Sequence, residues 1–242
     1  MENFSCDGFV IREQYTGEAD RIITVLTKDY GVIRAFAKGA RRPKSKLYSG
    51  TAFLVYSHFV FFEKNDVYRV TEATVLNVFP NLEKELDRIA VVNHFCELIM
   101  ELISHHQESS EALRLLLNTV YFLNKGVNAW YLKPLFQLRI LSLTGFTPNI
   151  IACNNCGTFE TETMYFDIEG GTLYCSECAK HGRACSVDLI NTIRDIVIPT
   201  LEKAYQYKVS AENIGELNQL CDDYLTACTE RKYKTLDFLR SL

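Results

Sequence analysis

Four of the nine cysteines form two C-x-x-C pairs, a spacing that lets both thiolates of a pair meet on one face of a tetrahedral ion. The first pair is Cys153 and Cys156, and eighteen residues separate it from the second, Cys175 and Cys178. This separation is typical of a four-cysteine zinc ribbon. Because four thiolates leave no open position for water or substrate, the pattern predicts one structural Zn²⁺ and no zinc catalysis.

Two other interpretations of the cysteines stay open at this point. The first is that the pairs are reduced core cysteines or redox dithiols, although no βαβ pattern surrounds them. The second is that His181 or Cys185, both close in sequence, replaces one of the four ligands. The five remaining cysteines are expected to be small buried hydrophobic residues. They are Cys6, Cys96, Cys185, Cys221 and Cys228.

The densest charge feature of the chain is a basic run over residues 34–46. Its six cations are Arg34, Lys38, Arg41, Arg42, Lys44 and Lys46. No acidic residue occurs between Asp29 and Glu63. Glycine and proline within the run predict a loop after a strand, where long cationic side chains can reach phosphates. A solvated loop without a ligand is the alternative interpretation.

Aromatic residues near the basic run are candidates for stacking on nucleic-acid bases. The candidates are Phe36, Tyr48, Tyr56 and Tyr68. Most aromatic residues between positions 53 and 62 are expected in the core, and the sequence does not separate the two classes.

The overall composition is that of an ordinary globular protein, with 242 residues, 48% hydrophobic residues and a net charge of −4. The charge is uneven, since residues 1–79 carry a net +2 and the remainder −6. The first residues lack a signal-peptide pattern, and the longest apolar run, over residues 51–62, is too short to cross a bilayer. A soluble cytoplasmic protein is expected, with its first third the better anion binder.

The elements that must position these residues begin with strands. Apolar and β-branched residues, separated by turn-forming or charged breaks, predict five of them. They cover residues 8–12, 21–26, 31–36, 52–62 and 67–78. Five short strands with no helix between them favour a small barrel such as an OB-fold.

After Pro80 the apolar period changes to that of helices. Helices are predicted over about 82–103, 110–124, 128–144, from the N-cap Ser186 to a kink at Pro199, and from a cap near Ser210 to about 228, with a docked tail at 235–239. Between the cysteine pairs, residues 164–168 and 172–174 flank Gly170 and Gly171 and predict a hairpin that brings the pairs together.

The order of these parts, together with the local sequence, resembles the RecO family of bacterial recombination mediators. The resemblance rests on Tyr15-Thr-Gly-Glu-Ala-Asp20, Leu26-Thr27, Gly31, Ala37-Lys-Gly-Ala-Arg-Arg42, Lys44-Ser45, Phe136-Gln-Leu-Arg-Ile-Leu141, Gly145-Phe-Thr-Pro148, the four cysteines and Leu236-Asp-Phe-Leu239. It covers essentially the whole chain. The basic loop and the G-F-x-P passage before the cysteines are its most specific parts.

The resemblance implies an α+β protein of two domains. Residues 1–79 would form a five-stranded OB-fold barrel that binds DNA, and residues 80–242 an α-helical domain with the zinc ribbon inserted at about 150–185. The implied function is non-enzymatic: binding single- and double-stranded DNA, annealing complementary strands, and cooperating with RecR to load RecA onto DNA coated by single-strand-binding protein. A nucleoid-associated, cytoplasmic protein is implied.

The resemblance also assigns roles to single residues. Lys38, Arg41, Arg42 and Lys44 match the basic loop of the family and are expected to contact phosphates, and charge alone adds Arg34 and Lys46. The helical domain of the family is also associated with the acidic, Phe-terminated tail of single-strand-binding protein. Such a tail needs an apolar pocket with cations at its rim, which the chemistry of Trp130, Lys133 and Arg139 on one predicted helix could provide. For Lys133 and Arg139, simple surface charges on a helix are the alternative interpretation. The alternative function is a zinc-ribbon adapter or transcription-associated factor. Its contact surface would be the ribbon.

Overall fold

The first third of the chain forms the five predicted strands, because buried apolar residues alternate with more exposed ones along them. The computed structural model describes residues 2–242. The strands are β1 (Glu2–Thr16), β2 (Asp20–Thr27), β3 (Val32–Ala37), β4 (Tyr56–Lys64) and β5 (Val67–Asn77). β4 begins later than predicted, since turns occupy residues 52–54.

The five strands close into a barrel in the order β1-β2-β3-β5-β4. β1 makes this possible because it is 15 residues long and pairs with β4 through its first half and with β2 through its second. The change of partner occurs at Gly8, where an added Cβ would lie only 3.0 Å from the Leu26 carbonyl oxygen. A short parallel pairing of β3 with β5 completes the barrel, which confirms the predicted five-stranded OB-type architecture.

The rest of the chain is mainly helical, as predicted. The helices are α1 (Leu86–Leu102), α2 (Ser110–Asn124), α3 (Ala129–Leu143), α4 (Val187–Val197), α5 (Leu201–Ala204), α6 (Asn213–Thr229) and α7 (Lys234–Leu239). Ser186 caps α4 as predicted, its hydroxyl accepting a hydrogen bond from the Leu189 amide. Near Pro199 the chain does not kink within one helix: α4 ends at Val197 and the separate helix α5 follows.

Pro134 lies inside α3 and leaves the carbonyl oxygen of Trp130 without its usual helical donor. The side chain of Asn218 on α6 supplies the missing hydrogen bond at 2.9 Å. One turn later on α6, Asp222 forms a buried ion pair with Lys133, and Gln137 donates to the same carboxylate. The helical core therefore contains a polar seam between α3 and α6.

The cysteine segment forms a small sheet in the order β7-β6-β8. Its strands are β6 (Thr163–Asp167), β7 (Thr172–Cys175) and β8 (Arg183–Ser186). The hairpin of β6 and β7 was predicted and β8 was not, because four residues of mixed polarity show no clear period. Gly171, with φ +61°, passes so close to the ring of Tyr224 that a Cβ there would lie 2.8 Å from its hydroxyl oxygen.

The described residues divide after Gly126 into two compact units. The first contains the barrel with α1 and α2, which pack against β1 and β2. The second, Val127–Leu242, contains α3 to α7 and the ribbon. The domain boundary predicted after residue 79 lies within the first unit, because α1 and α2 pack against the barrel.

Candidate nucleic-acid interface and candidate metal centre

The basic run continues from β3 into a series of turns that leads towards β4. Lys38, Arg42, Lys44 and Lys46 are exposed there, and Arg41 is half-buried. Arg34 is also exposed, on β3 between buried neighbours. Gly39 adopts φ +66°, and its amide donates to the Asp20 carboxylate at 2.6 Å, which fixes the turn after β3 to the start of β2. All six predicted cations thus lie on β3 or in the loop after it.

A buried ion pair under this loop holds it against the barrel. Arg21 of β2 is 5% exposed and its Nε lies 2.9 Å from the Glu13 carboxylate of β1. The Arg21 Nη1 donates to the Tyr48 carbonyl at 2.6 Å and to the Thr51 hydroxyl at 3.1 Å. The other Glu13 oxygen accepts from the Phe53 amide at 2.8 Å. Strand side chains therefore fix the loop at three positions.

Arg41 is attached to the β1–β2 turn at two points. Its amide donates to the Ala19 carbonyl at 2.9 Å, and its guanidinium to the Glu18 carbonyl at 3.4 Å. The same guanidinium lies 4.3 Å from the ring centroid of Tyr15, a cation–π contact. Its neighbour Arg42 remains exposed.

The four predicted stacking candidates differ in how far they are exposed to solvent. Tyr68 packs against the barrel core, with its ring 6.0 Å from Phe4. Tyr56 and Phe36 are half-buried on the strands, and Tyr48 is 47% exposed in the basic loop.

The four paired cysteines meet at one end of the small sheet. Their sulfur atoms all lie within 4.8 Å of one another, and those of Cys156 and Cys175 are 3.6 Å apart. Tetrahedral Zn²⁺ with Zn–S bonds of about 2.3 Å would separate its sulfurs by about 3.8 Å. The four side chains can therefore hold a metal ion, and their thiolate chemistry suits zinc.

Backbone turns aim the first pair of thiols. The Cys153 carbonyl accepts from the Gly157 amide at 2.9 Å, and Gly157 has φ +76°, the left-handed conformation that glycine adopts freely. The Cys175 carbonyl accepts from the Cys178 and Ala179 amides at 3.1 and 2.9 Å in a second turn. Each C-x-x-C pair thus sits on a tight turn of its own.

The local hydrogen bonds favour thiolates in this cluster. Burial opposes ionisation of Cys153, but backbone amides of Cys175, Cys156 and Asn155 together lower its pKa to about 6. The hydroxyl of Thr158 lowers the pKa of Cys156. At Cys178 the hydrogen bond from Asn155 favours the thiolate, yet the neighbouring cysteine sulfurs raise its pKa to about 12. A cation among the four sulfurs would offset the repulsion between neighbouring thiolates.

The alternative ligands lie apart from the cluster. In the described part of the chain, the only group of His, Cys, Asp or Glu side chains found suitable for a metal is the cysteine quartet. Cys185 is buried on β8, its thiol donates to the Arg183 carbonyl, and burial raises its pKa to about 11. His181 lies 3.4 Å from the Asp167 carboxylate.

Comparison with known proteins divides the chain near residue 80, at the end of the barrel strands. A family model described as "Recombination protein O N terminal" matches residues 1–79, and one described as "Recombination protein O C terminal" matches residues 83–237. The chain belongs to the RecO family. This RecO chain is therefore a member of a DNA repair family.

Similar RecO proteins match it over nearly their full length. "DNA repair protein RecO" of Acetivibrio thermocellus is 34% identical, with 100% of this chain and 98% of the relative aligned. The proteins of the same name from Caldicellulosiruptor saccharolyticus and Symbiobacterium thermophilum are each 27% identical, covering 99% and 100% of this chain and 99% and 98% of the relatives. No helix in the described residues is long and apolar enough to cross a membrane.

The three residues predicted to bind the partner tail lie on α3. Trp130 is half-buried, and Lys133 is only 1% exposed, with its ammonium bonded to Asp222. The Arg139 guanidinium donates to the carbonyls of Val197 and Pro199 at 2.9 and 3.0 Å. Both cations therefore hold other helical segments of the second unit. Lys133 does not stand at the rim of a pocket as predicted, because the buried carboxylate of Asp222 draws it inward.

Sequence reasoning missed three residues of the candidate interface. In the sequence, Glu13 and Arg21 look like ordinary polar residues of strands, and Tyr15 is notable only as part of a family motif. Arg21 shares its strand face with the core residues Ile23 and Val25. A basic residue at a core-facing position of one strand, together with an acidic residue at a core-facing position of the strand before it, is the sequence signal that predicts a buried ion pair.

Proposed function

We propose that this RecO-family protein is a non-enzymatic mediator of DNA repair and homologous recombination. It binds single- and double-stranded DNA, anneals complementary strands, and cooperates with RecR to load recombinase onto DNA coated by single-strand-binding protein. Its site of action would be the cytoplasm, in association with the nucleoid. The names of its relatives, each a DNA repair protein, support this assignment.

The observation that carries the DNA-binding proposal is the anchored basic loop. Five cations at positions 38–46 stand on a loop that the buried Arg21–Glu13 pair attaches to an OB-type barrel. Such barrels bind strands through basic grooves. Because the contacts would be to phosphates, we expect little sequence preference and a steep dependence on salt.

The cysteine quartet would bind one Zn²⁺ in a structural role. When bound, the ion supplies a four-way crosslink between the two turns, and Cys153, Cys156, Cys175 and Cys178 fill its coordination shell. The sulfur separations support this assignment.

The tail of single-strand-binding protein would bind to the second unit beside Trp130. Its terminal aromatic residue needs an apolar contact, which the partly exposed indole offers. Lys133 and Arg139 would contribute indirectly, because they hold α3 to neighbouring segments and so keep Trp130 in place.

Reversal of charge at Arg41 and Arg42 tests the DNA interface. We expect Arg41→Glu with Arg42→Glu to weaken DNA binding and to reduce the slope of log K against log salt by about 0.9 for each phosphate that the variant no longer neutralises. Fluorescence anisotropy over a series of salt concentrations measures both quantities.

The matched control for this test is Lys232→Glu with Lys234→Glu, which makes the same change in charge at two exposed positions of the second unit. It should leave both affinity and slope near those of the unchanged protein. Equal behaviour of the two double variants would contradict the assignment of DNA binding to the basic loop.

A further inference from the structure

Two tyrosine rings stand exposed at the end of the barrel that carries the basic loop. Tyr15, near the end of β1, is 65% exposed, and Tyr48, within the loop, is 47% exposed. Both are connected to Arg21: Tyr15 is its partner in the β1–β2 register, and the Tyr48 carbonyl accepts its hydrogen bond. The rings therefore share one end of the barrel with the cations at 38–46.

A guanidinium group lies against each of these rings. That of Arg41 is 4.3 Å from the Tyr15 centroid, and that of Arg21 is 5.0 Å from the Tyr48 centroid. Arg21 is itself fixed by Glu13, and Arg41 by the Glu18 carbonyl. The cations thus restrict the rings while much of each aromatic surface stays open to solvent, so little further ordering is needed to accept a flat ligand.

The ligand that suits this arrangement is an unpaired nucleobase. Aromatic side chains beside a basic track bind single strands by stacking on bases while cations hold the phosphates. In a duplex each base face is covered by the next base pair, so the rings have no interior base face to contact. A duplex can still meet the cations through its phosphates.

We propose that Tyr15 and Tyr48 stack on unpaired bases of a DNA single strand whose backbone follows the basic loop. This inference rests on the proposed DNA-binding function and adds to it a preference for single strands. It assigns Tyr15 and Tyr48 a direct contact with bases, and Arg21 a positioning role behind Tyr48.

A tyrosine with a cation against its ring can also have a purely structural role, and Tyr121 provides a comparison. Tyr121 on α2 is also 47% exposed, and the Lys125 ammonium lies 5.4 Å from its centroid. It shows that an exposed tyrosine with a cation against its ring occurs away from any basic run. Tyr121→Leu is therefore the matched control for the removal of such a pair.

The test compares two oligonucleotides of equal charge, an oligothymidylate of about 12 nucleotides and an abasic strand of the same length. We expect the unchanged protein to bind the thymidylate more tightly, by about five-fold or more for each stacked base. Tyr15→Leu with Tyr48→Leu should bring the two affinities together. Tyr15→Phe with Tyr48→Phe should keep the difference, as should Tyr121→Leu.

Equal affinity of the unchanged protein for both strands would overturn the inference, as would a difference that survives in the double leucine variant. Thermal unfolding followed by circular dichroism shows whether the leucine variants fold. If the double variant unfolds, each single variant replaces it and should lose part of the difference. Absence of salt-dependent binding to either strand would instead contradict the proposed DNA-binding function.

Discussion

At the scale of single residues, the buried pair of Arg21 and Glu13 is the feature on which the basic loop depends. Both side chains are largely removed from water, and each also bonds a backbone group of the loop. A buried charge is tolerated only when it is paired and hydrogen-bonded. Removal of one partner leaves the other uncompensated, which is more harmful than removal of both.

Replacement of Arg21 should therefore destabilise the first unit strongly. We expect Arg21→Met to reduce the free energy of unfolding by about 3–5 kcal/mol, because Glu13 stays buried without a cation. Denaturation by urea measures the change. Arg12→Met, at an exposed position of β1, is the control and should change the free energy by less than about 0.5 kcal/mol.

A second variant separates the effect of charge from that of the hydrogen bonds to the loop. Glu13→Leu with Arg21→Met removes both charges and should recover part of the stability. If the single and double variants are equally unstable, the cause is the absence of the hydrogen bonds to Tyr48 and Thr51 and not an unpaired carboxylate.

At the scale of elements, the ribbon that carries the cysteine quartet is attached to the helices at defined points. Tyr224 of α6 donates to the Phe146 carbonyl at 3.1 Å and packs edge-on to Phe166 of β6. Arg194 of α4 donates to the carbonyls of Ile150, Ile151 and Phe159 around the first cysteine pair. Because these contacts join the ribbon to α4 and α6, an ion that orders the ribbon would also stabilise the helices of the second unit.

Removal of the metal should loosen the ribbon and leave the barrel unchanged. After chelation we expect faster amide hydrogen exchange over residues 153–185 and, to a smaller extent, in α4 and α6, with β1 to β5 still protected, because the ion's binding energy is folding energy for the ribbon and for the helices attached to it. Hydrogen exchange measured by mass spectrometry gives both regions at once. Simultaneous loss of protection in the barrel would contradict this division.

Two cysteine variants check which thiols hold the ion. Cys153→Ser should lower the zinc content below one ion per chain, whereas Cys185→Ser, a buried cysteine outside the quartet, should retain it. Elemental analysis of the purified variants measures the ratio. Loss of zinc from Cys185→Ser would contradict the assigned ligand set.

The elements themselves show how far sequence patterns reach. Period-2 alternation and helix caps are local, so β2 to β5, α1 to α3 and the Ser186 cap were predicted with small errors at their ends. β1 was predicted only over residues 8–12 and spans Glu2–Thr16, because its outer parts are strands through pairing with β4 and β2. The strand β8 was missed because its four residues become a strand only by pairing with β6. Ser210, expected as a cap, accepts from the Asn213 amide just before α6 begins.

At the scale of the whole molecule, the chain joins a basic first third to an acidic remainder, with net charges of +2 and −6. Residues 80–242 carry net negative charge and exert little long-range attraction on an acidic partner tail. Local contacts must therefore hold the tail on this part of the chain. The proposed contact is Trp130, the single tryptophan of the chain. Its fluorescence therefore reports on that position alone.

A peptide with the acidic, Phe-terminated tail of single-strand-binding protein should change the emission of Trp130 in a saturable manner, because its terminal ring would exclude water from the indole. The same peptide without its last phenylalanine is the control and should produce no change. In the matching functional assay, annealing of coated strands should slow when the tail is deleted. Annealing that ignores the tail would contradict this part of the proposal.

The sequence by itself determined the cysteine quartet, the basic run and the change from five strands to helices. Each is a local pattern: two residues separate the cysteines of each pair, and a hairpin joins the two pairs. Only the tertiary structure decided that Arg21 and Glu13 lie beneath the basic loop, that Tyr15 and Tyr48 stand beside it, and that Lys133 turns inward to Asp222. The hydrogen bonds of Arg21, Glu13 and Lys133 join residues 27 to 89 positions apart, and the closing of the barrel and the packing of α3 on α6 select them.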